Sequence, residues 1–453
     1  MPKPAFIWEA GDDDLILTGH GGLGVVGQLL NTLPLGERLN VSRVPGAEHP
    51  DISHRDVAVA YLGLLAQGQN DFDAIEAFRD DPFFALSLGL AHVPSSPTLR
   101  QRLDQASAAE DQTQWNATIQ ASVDQLLRRH IHCDPIQIGT QEFVPVDIDV
   151  SPFDNSKTHK EGVSRTYKGS DGYAPIFAYL GHEGYALAAD LREGKQHSQK
   201  GTPEFLTTCL ERAHAILPEA QLLVRLDSGN DAAENIDRAR AEHADFLIKR
   251  NLRQESPAAW LELAKAEGTA EGTAEHPREG KTIYRGTTWR TPKAGHEPER
   301  VVYQVVERTI TAEGQILLIP EVEVATYWTS LGAPAEAVLP WYPDHGTMEQ
   351  YHSEYKTDLD LERLPSGKFA TNQLILQLAC LVFNVLRIIG QAALDDPAVP
   401  LRRKATRRRL RTVIHNLITC AAQLIRHARR VRLRYMRRNP WGRVLQHLYA
   451  TFT

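Results

Sequence analysis

Cysteine is scarce. The 453 residues hold four, Cys133, Cys209, Cys380 and Cys420, with no Cys-x-x-Cys pair. That argues against a zinc ribbon or a disulfide framework and fits a reducing cytoplasm. No run of 18 apolar residues occurs, so neither a transmembrane helix nor a membrane partner is expected. The N-terminus, Met1-Pro-Lys-Pro-Ala-Phe6, lacks the apolar stretch of a signal peptide. Acidic residues are missing altogether from 398–453. What is present is ordinary for a globular protein, 42% hydrophobic and 24% charged. The length exceeds what one core supports, so roughly two to four structural units are expected.

The missing acids unbalance the charge. The chain carries −7, but 398–453 holds 15 Lys/Arg and therefore +15, leaving −7 − 15 = −22 for the rest. A basic end on an acidic body points to a polyanion partner. The plainer alternative is a solvated basic helix or tail.

Local patterns divide the chain. Residues 1–140 read as mainly helical, with apolar residues at three- and four-residue spacing over Asp56–Leu65 and Asp73–Phe84. Ser96-Pro97 reads as an N-cap followed by proline at the first helical position. The helix behind it carries Arg100 and Arg102 and is either a groove-reading helix or an ordinary capped one. Gly22-Leu-Gly24-Val-Val-Gly27 imitates a dinucleotide fingerprint after a possible strand at Leu15–Thr18. The break at Leu33-Pro34-Leu35-Gly36 comes too soon for that fold. A glycine-bearing helix pressed against a neighbour is expected instead.

From 141 to 253 strands and helices alternate, which predicts an α/β core. Phe143–Asp149 reads as a buried strand weakened by Pro145. Tyr173–Leu180 and Tyr185–Leu191 read as a hairpin, Gln221–Asp227 and Ala244–Lys249 as strands, Thr202–Leu217 and Ala232–Glu242 as helices. Ala264–Glu279, with Glu-Gly-Thr-Ala repeated at 267–270 and 271–274, reads as a loop. Thr282–Arg285, Val301–Thr309 and Gln315–Pro320 read as an antiparallel insertion. Helices are expected over Gly346–Lys356 and Thr371–Ile389. Leu401–Tyr435 is basic and amphipathic, and its end, Arg426–Tyr435, alternates like a strand.

Three acidic positions stand out. Asp147 and Asp149 end the first core strand. Asp227 ends the next strand and precedes Ser228-Gly229. Glu349 lies early on a helix after a Pro/Asp/Gly turn. Carboxylates at strand ends are common ligands in open α/β sheets, and hard Mg²⁺ takes one or two carboxylates per ion. The chain has 57 acids, and an acid at a strand end is more often a cap or turn residue, so the constellation alone is weak.

The order of motifs strengthens it. Tyr342-Pro-Asp-His345-Gly-Thr-Met-Glu349-Gln-Tyr-His-Ser-Glu-Tyr-Lys356 resembles the Tyr-(2)-Arg-(3)-Glu-(6)-Lys signature of bacterial insertion-sequence DDE transposases, with His345 in the arginine position. Asp147-Ile-Asp149-Val-Ser151 and Arg225-Leu-Asp227-Ser-Gly229 resemble the family's two aspartate strands. Phe369-Ala-Thr-Asn372 and Leu381-Val-Phe-Asn384 resemble the helix after the glutamate motif, and Leu410–Arg434 the basic C-terminal segment. The likeness covers roughly residues 10–440 and is to the insertion-sequence "thirteen-eighty" group.

The resemblance implies an RNase H-like catalytic core, a mixed sheet flanked by helices and interrupted by a β-rich insertion. The expected regions are 1–140 (helical, DNA-binding or dimerising), 141–253 (core, first part), 254–337 (insertion), 338–400 (core with the glutamate helix) and 401–453 (basic, DNA-binding). It implies that Asp149, Asp227 and Glu349 are catalytic and hold two Mg²⁺, which Mn²⁺ can replace. Asp147 rivals Asp149, and the family's D-x-[ST] pattern selects Asp149. Tyr342, His345 and Lys356 would contact DNA, with Arg407, Arg408 and Arg411 from the basic segment. Glu349 and Lys356, seven apart, would share a helix face. The implied partners are transposon terminal repeats and target DNA, engaged by a homodimer in the bacterial cytoplasm, at the nucleoid. A nuclease without strand transfer and an inactive DNA-binding derivative remain the alternatives.

Overall fold

The computed structural model describes residues 16–453 except 43, 45, 49, 109–111, 272–273, 402–404 and 428–429. The chain forms two compact units, Val123–Ser353 and the combination of Met1–Ser122 with Glu354–Thr453.

The unit of 123–353 is built on one large mixed sheet. Its strands are β1 (Gln141–Val150), β2 (Ile176–Leu180), β3 (Tyr185–Asp190), β4 (Leu222–Leu226), β5 (Asp245–Lys249), β6 (Ala274–Arg278), β7 (Lys281–Arg290), β8 (Glu299–Ile310) and β9 (Ile316–Thr329). They lie in the order β6-β7-β8-β9-β5-β4-β1-β2-β3, with Ile136–Ile138 paired to β1. The two central pairs, β1 with β4 and β4 with β5, are parallel; the others are antiparallel. β2 and β4 are buried along their whole length, and β1 from Phe143 to Ile148, the burial expected of central strands covered on both faces.

Pro145 occupies a central strand. Val144 N–H donates to Gln221 O at 2.8 Å, so strand alternation turns the next position away from β4. Pairing with β2 begins only at Val146, and the Pro145 carbonyl accepts from Gly181 N–H at 2.9 Å. The absent N–H thus falls just beyond the end of the partner strand, where it costs no ladder bond.

Two sequence expectations change here. The antiparallel insert extends the main sheet, since β9 pairs with β5 through Leu247↔Thr329 and Lys249↔Tyr327. The segment Ala264–Glu279 is not a loop: it contributes to the helix Pro257–Glu271 and to β6. Alanine, glutamate and lysine favour a helix once one face is buried, and Trp260 and Ala264 supply that face. Part of the duplicated tetrapeptide, residues 272–273, lies outside the described residues.

The other unit is mainly helical. Its core helix is Phe369–Leu394, which has the length and composition to cross a membrane. However, 89% of its apolar window is buried inside the protein, and it carries the buried Asn372, Asn384 and Arg387. The expected helix Asp73–Phe84 is instead a 3-10 turn, Phe72–Phe78, and a helix, Pro82–Leu88. Asp81 breaks the run by accepting the Phe83 N–H at 2.8 Å, with Pro82 opening the new helix. The helix Ser96–Ala108 is capped by Ser95, one residue earlier than expected, whose hydroxyl faces the Thr98 N–H at 3.4 Å. Arg102 is buried and bonded to Ile52 O and His54 Nδ1, so it holds the fold together and does not face outward.

The glycine-rich decoy is a packing device. The helix Leu23–Asn31 runs so close to Pro82–Leu88 that a Cβ on Gly27 would stand 1.8 Å from Ser87 O. We expect Gly27→Ala to destabilise the protein by about 1–3 kcal/mol through this overlap. A thermal unfolding curve unchanged from wild type would refute the packing role.

At the C-terminus the stretch Arg426–Tyr435, expected as one strand, is divided between two. Ala422–His427 and Arg430–Tyr435 pair antiparallel, and Ile16–Thr18 joins the first of them.

Candidate active site

The strand register brings the first two acids together. In the parallel pair β1–β4, Asp147 stands opposite Arg225 and Ile148 opposite Leu226. One further step sets Asp149 beside Asp227, just past the end of β4. Alternation puts Asp147, Asp149, Arg225 and Asp227 on the same face of the sheet. Glu349 is on the helix Met348–Ser353, which follows the 3-10 turn Pro343–Thr347.

The two acids of β1 have opposite environments. Asp147 is fully buried, and its oxygens take both arms of the Arg225 guanidinium at 2.7 Å, with His345 Nδ1 at 3.0 Å from Oδ1. Burial alone would raise its pKa, but Arg225 and His345 overcome that and hold it at about 2. Asp149 behaves in the reverse way. Burial first, then the charge of Asp227 and, last, that of Glu349 push it up to about 7, against the opposing effects of His345 and the Val150 N–H. Asp149 therefore lies within the fields of both Asp227 and Glu349.

Their free oxygens matter as much as their charge. Asp149 Oδ1 accepts the Val150 N–H at 2.7 Å. Asp227 Oδ1 accepts from Gly229 N–H at 3.1 Å and Asn230 Nδ2 at 2.9 Å, which fixes the turn after β4. Glu349 is exposed and makes no hydrogen bond or ion pair among the described residues. Each carboxylate thus keeps at least one oxygen available. Among the described residues no three His, Cys, Asp or Glu side chains already form a cation cage. The residues nevertheless fit hard divalent cations: all the free donors are carboxylate oxygens, and their mutual repulsion is relieved by positive charge.

Arg225 is the hub of the surroundings. Its Nη1 also donates to Trp341 O at 2.7 Å and to Asp344 at 3.1 Å. Asp344 in turn meets His182 at 3.0 Å. Hydrogen bonding to His182, then the Arg225 charge, lowers the Asp344 pKa despite burial. One buried cation therefore ties the ends of β1 and β4 to the turn that leads into the Glu349 helix. Nothing in the sequence marked Arg225 except its place two residues before Asp227.

The other predicted positions fare differently. Tyr342 is half-buried against Tyr327, with ring centroids 4.5 Å apart, and burial with nearby carboxylates raises its pKa. His345 is buried, and its Nδ1 is held by Asp147. Its ring can take one internal acceptor where an arginine fork would need two. Lys356 lies in the π-helical turn Glu354–Asp358, which ends the regular helix expected across Glu349 and Lys356. The seven-residue spacing thus no longer implies a shared α-helical face.

The basic segment has acid partners that the charge count could not reveal. Arg407 meets Glu354 at 2.7 Å, and the buried Arg387 meets the same carboxylate. Arg408 is buried, its guanidinium 4.2 Å from the Trp441 ring centroid. Arg409 and Arg411 both pair with Asp358. Arg411 stays half exposed, whereas Arg407 and Arg408 do not. Arg430, Arg432 and Arg434 on the last strand are exposed as well.

A residue missed in the sequence lies at the same place. Tyr167 is exposed, its hydroxyl donates to Val150 O at 3.2 Å, and burial of that hydroxyl plus the charges of Asp149, Asp227 and Glu349 raise its pKa.

A pH dependence follows. In the metal-free protein Asp149 is protonated below about 7 and must lose that proton to bind a cation. Calorimetric titration with Mn²⁺ should show affinity rising up to tenfold per pH unit below about 7, with a proton released, and flattening above. Affinity independent of pH between 5.5 and 7 would contradict this.

Carboxylates gathered at the ends of adjacent parallel strands, with a third on a following helix, make a site suited to divalent cations and phosphodiester chemistry. The chain belongs to the family Transposase DDE domain group 1, which matches residues 15–453. Its members are DNA transposases with metal-dependent activity. No curated protein matches the chain. Among solved structures, the piggyBac transposase in a synaptic complex with hairpin DNA is similar at 9% identity. The match covers 88% of this chain and 79% of that one, with a TM-score of 0.41.

Proposed function

We propose that this chain binds the terminal repeats of an insertion sequence, cleaves the DNA strands there, and transfers the resulting 3′-hydroxyl ends to target DNA. The observation that carries this reading is the placement of Asp149 beside Asp227, with Glu349 in their field. The order β3-β2-β1-β4-β5, parallel across β1, β4 and β5, supports an RNase H-like core. The engagement of both Asp147 oxygens by Arg225 supports Asp149 as the first ligand.

Asp149, Asp227 and Glu349 would hold two Mg²⁺, or Mn²⁺ in their place. When bound, such ions lower the pKa of an attacking water or 3′-hydroxyl and stabilise the leaving oxygen. The carboxylates themselves form no covalent bond to DNA. The turn after Asp227 fixes one ligand, and the Arg225 hub fixes the approach of the Glu349 helix. Tyr342 and Lys356 would contact phosphates beside the cut. Arg411 and the exposed arginines of 430–434, with the helical N-terminal region, would hold flanking DNA, mainly through phosphate charge. A homodimer on paired ends, in a bacterial cytoplasm and of the "thirteen-eighty" group, completes the reading.

The test is a labelled end duplex incubated with the full chain and Mg²⁺, scored for nicked and for joined products. Both products support the reading. Cutting without joining favours a nuclease, and neither favours a DNA-binding derivative.

A further inference from the structure

We propose that the ribbon of residues 155–170 is a DNA-strand-holding surface that seats an unpaired nucleotide beside the three carboxylates, with the Tyr167 ring stacked on its base. This rests on reading the chain as a DNA-cutting enzyme, and it assigns DNA contact to a segment outside the signature motifs and the basic C-terminus.

The ribbon belongs to a small sheet formed by Phe153–Asp154, Ser164–Arg165 and Asp171–Tyr173. It is anchored firmly. Asn155 is fully buried, and its N–H donates to Asp171 O at 2.9 Å. Tyr173 hydroxyl donates to Glu161 O at 2.8 Å. Gly172 runs so near the first strand that a Cβ there would stand 1.9 Å from Phe153 O. The turn bearing Tyr167 is closed by Thr166 N–H and hydroxyl, both donating to Ser170 O, at 2.8 and 2.9 Å.

On this base Tyr167 is a large aromatic 68% exposed to solvent. Among the described residues its one side-chain hydrogen bond runs from the hydroxyl to the carbonyl of Val150, the residue next to Asp149. The ring face is thus held open at the edge of the carboxylate site. The charges of Asp149, Asp227 and Glu349 all reach the phenol, which places it within the field of each.

The ribbon's charge suits the same occupant. Residues 155–170 hold Lys157, Lys160, Arg165 and Lys168 against Glu161 alone, on a chain of net charge −7. The Lys168 ammonium stands 6.0 Å from the Tyr167 ring centroid, and Arg165 is exposed, 3.7 Å from Asp171. Cations that track phosphates, with an exposed ring between them, are how proteins hold a single strand whatever its sequence. The cations also offset the repulsion that three carboxylates exert on a phosphate backbone. A base stacked within a duplex offers no free face, so the ring selects an unpaired nucleotide.

The experiment uses the full chain in EDTA and a DNA duplex with a short single-stranded overhang containing 2-aminopurine. Wild type and Tyr167→Phe should bind and quench its fluorescence. Tyr167→Ala should bind about tenfold more weakly and leave it unquenched. Lys157→Ala with Lys168→Ala should reduce the slope of log affinity against log salt by about 1.4. The proposal is overturned if wild type does not quench, or if Tyr167→Ala matches it in affinity and quenching. Cleavage plays no part in this readout. A chain that quenches through Tyr167 but never cuts in Mg²⁺ keeps the surface and loses the transposase reading.

Discussion

Asp227→Ala should bind transposon-end DNA nearly as well as wild type and cut it slower by a factor on the order of 10³ or more in Mg²⁺. The size follows from the several kcal/mol of charge stabilisation that a bound cation contributes, at tenfold in rate per 1.36 kcal/mol. Binding is expected to survive because a single carboxylate repels DNA and the contacts proposed for flanking DNA lie elsewhere. Asp227 anchors only a local turn through Gly229 and Asn230, so Asp227→Asn, which can still accept at one oxygen, controls for that turn. Cleavage at wild-type rate by either variant, with Mg²⁺ present, would remove Asp227 from the site. Asp149→Asn and Glu349→Gln should behave alike; Asp147→Asn should instead fail through stability.

The largest stability effect is expected at Arg225. Arg225→Met leaves Asp147 buried with its His345 hydrogen bond but without the guanidinium, and breaking a buried pair in this way costs about 3–5 kcal/mol. Both side chains are about 1% exposed, so solvent does not screen the loss. Adding Asp147→Leu should return much of the deficit, because an apolar pair needs no counterion. A urea titration of the full chain reads both effects. Equal destabilisation by the single and double variants would show that the pair is not the source. The pH dependence has a defined sign. The folded pKa of Asp147, about 2, lies below its ordinary 3.8. Its contribution is therefore fully present above about pH 4 and is lost as pH falls through 2. Arg225→Lys keeps the charge but cannot fork onto both oxygens. It should fold and cut more slowly, because the turn leading to Glu349 loses its tie to β1.

Much of the candidate site is legible in the sequence. Asp227 is conspicuous because a run of apolar residues ends at it and Ser-Gly follows. Glu349 is conspicuous by its spacing from Tyr342 and Lys356. Those are local signals, carried by neighbours in the chain. The D-x-[ST] pattern favours Asp149 locally, but the different surroundings of Asp147 and Asp149 are not local. Both alternate onto the same face, and only the register with β4 shows that one meets Arg225 while the other passes the strand's end. The tie between His345 and Asp147 was out of reach for the same reason, since the two lie 198 residues apart in sequence. Tyr167 carried no signal, since an exposed tyrosine in a turn looks alike wherever the turn is placed.

Local chemistry by itself determined the α/β alternation, the strand at Pro145, the glycine-helix packing, the strand character of Arg430–Tyr435 and the order of the three acids. Each depends on periodicity, on capping or on a residue's own backbone limits, which act over a few positions. Tertiary structure alone decided that the β-rich segment extends the main sheet. It also decided that Arg407 and Arg408 are tied into the fold, and that Asp149 lies within the fields of Asp227 and Glu349. Strand pairing, burial and charge coupling act between residues far apart in sequence. A count of 15 basic residues cannot tell which of them already faces Glu354 or Asp358.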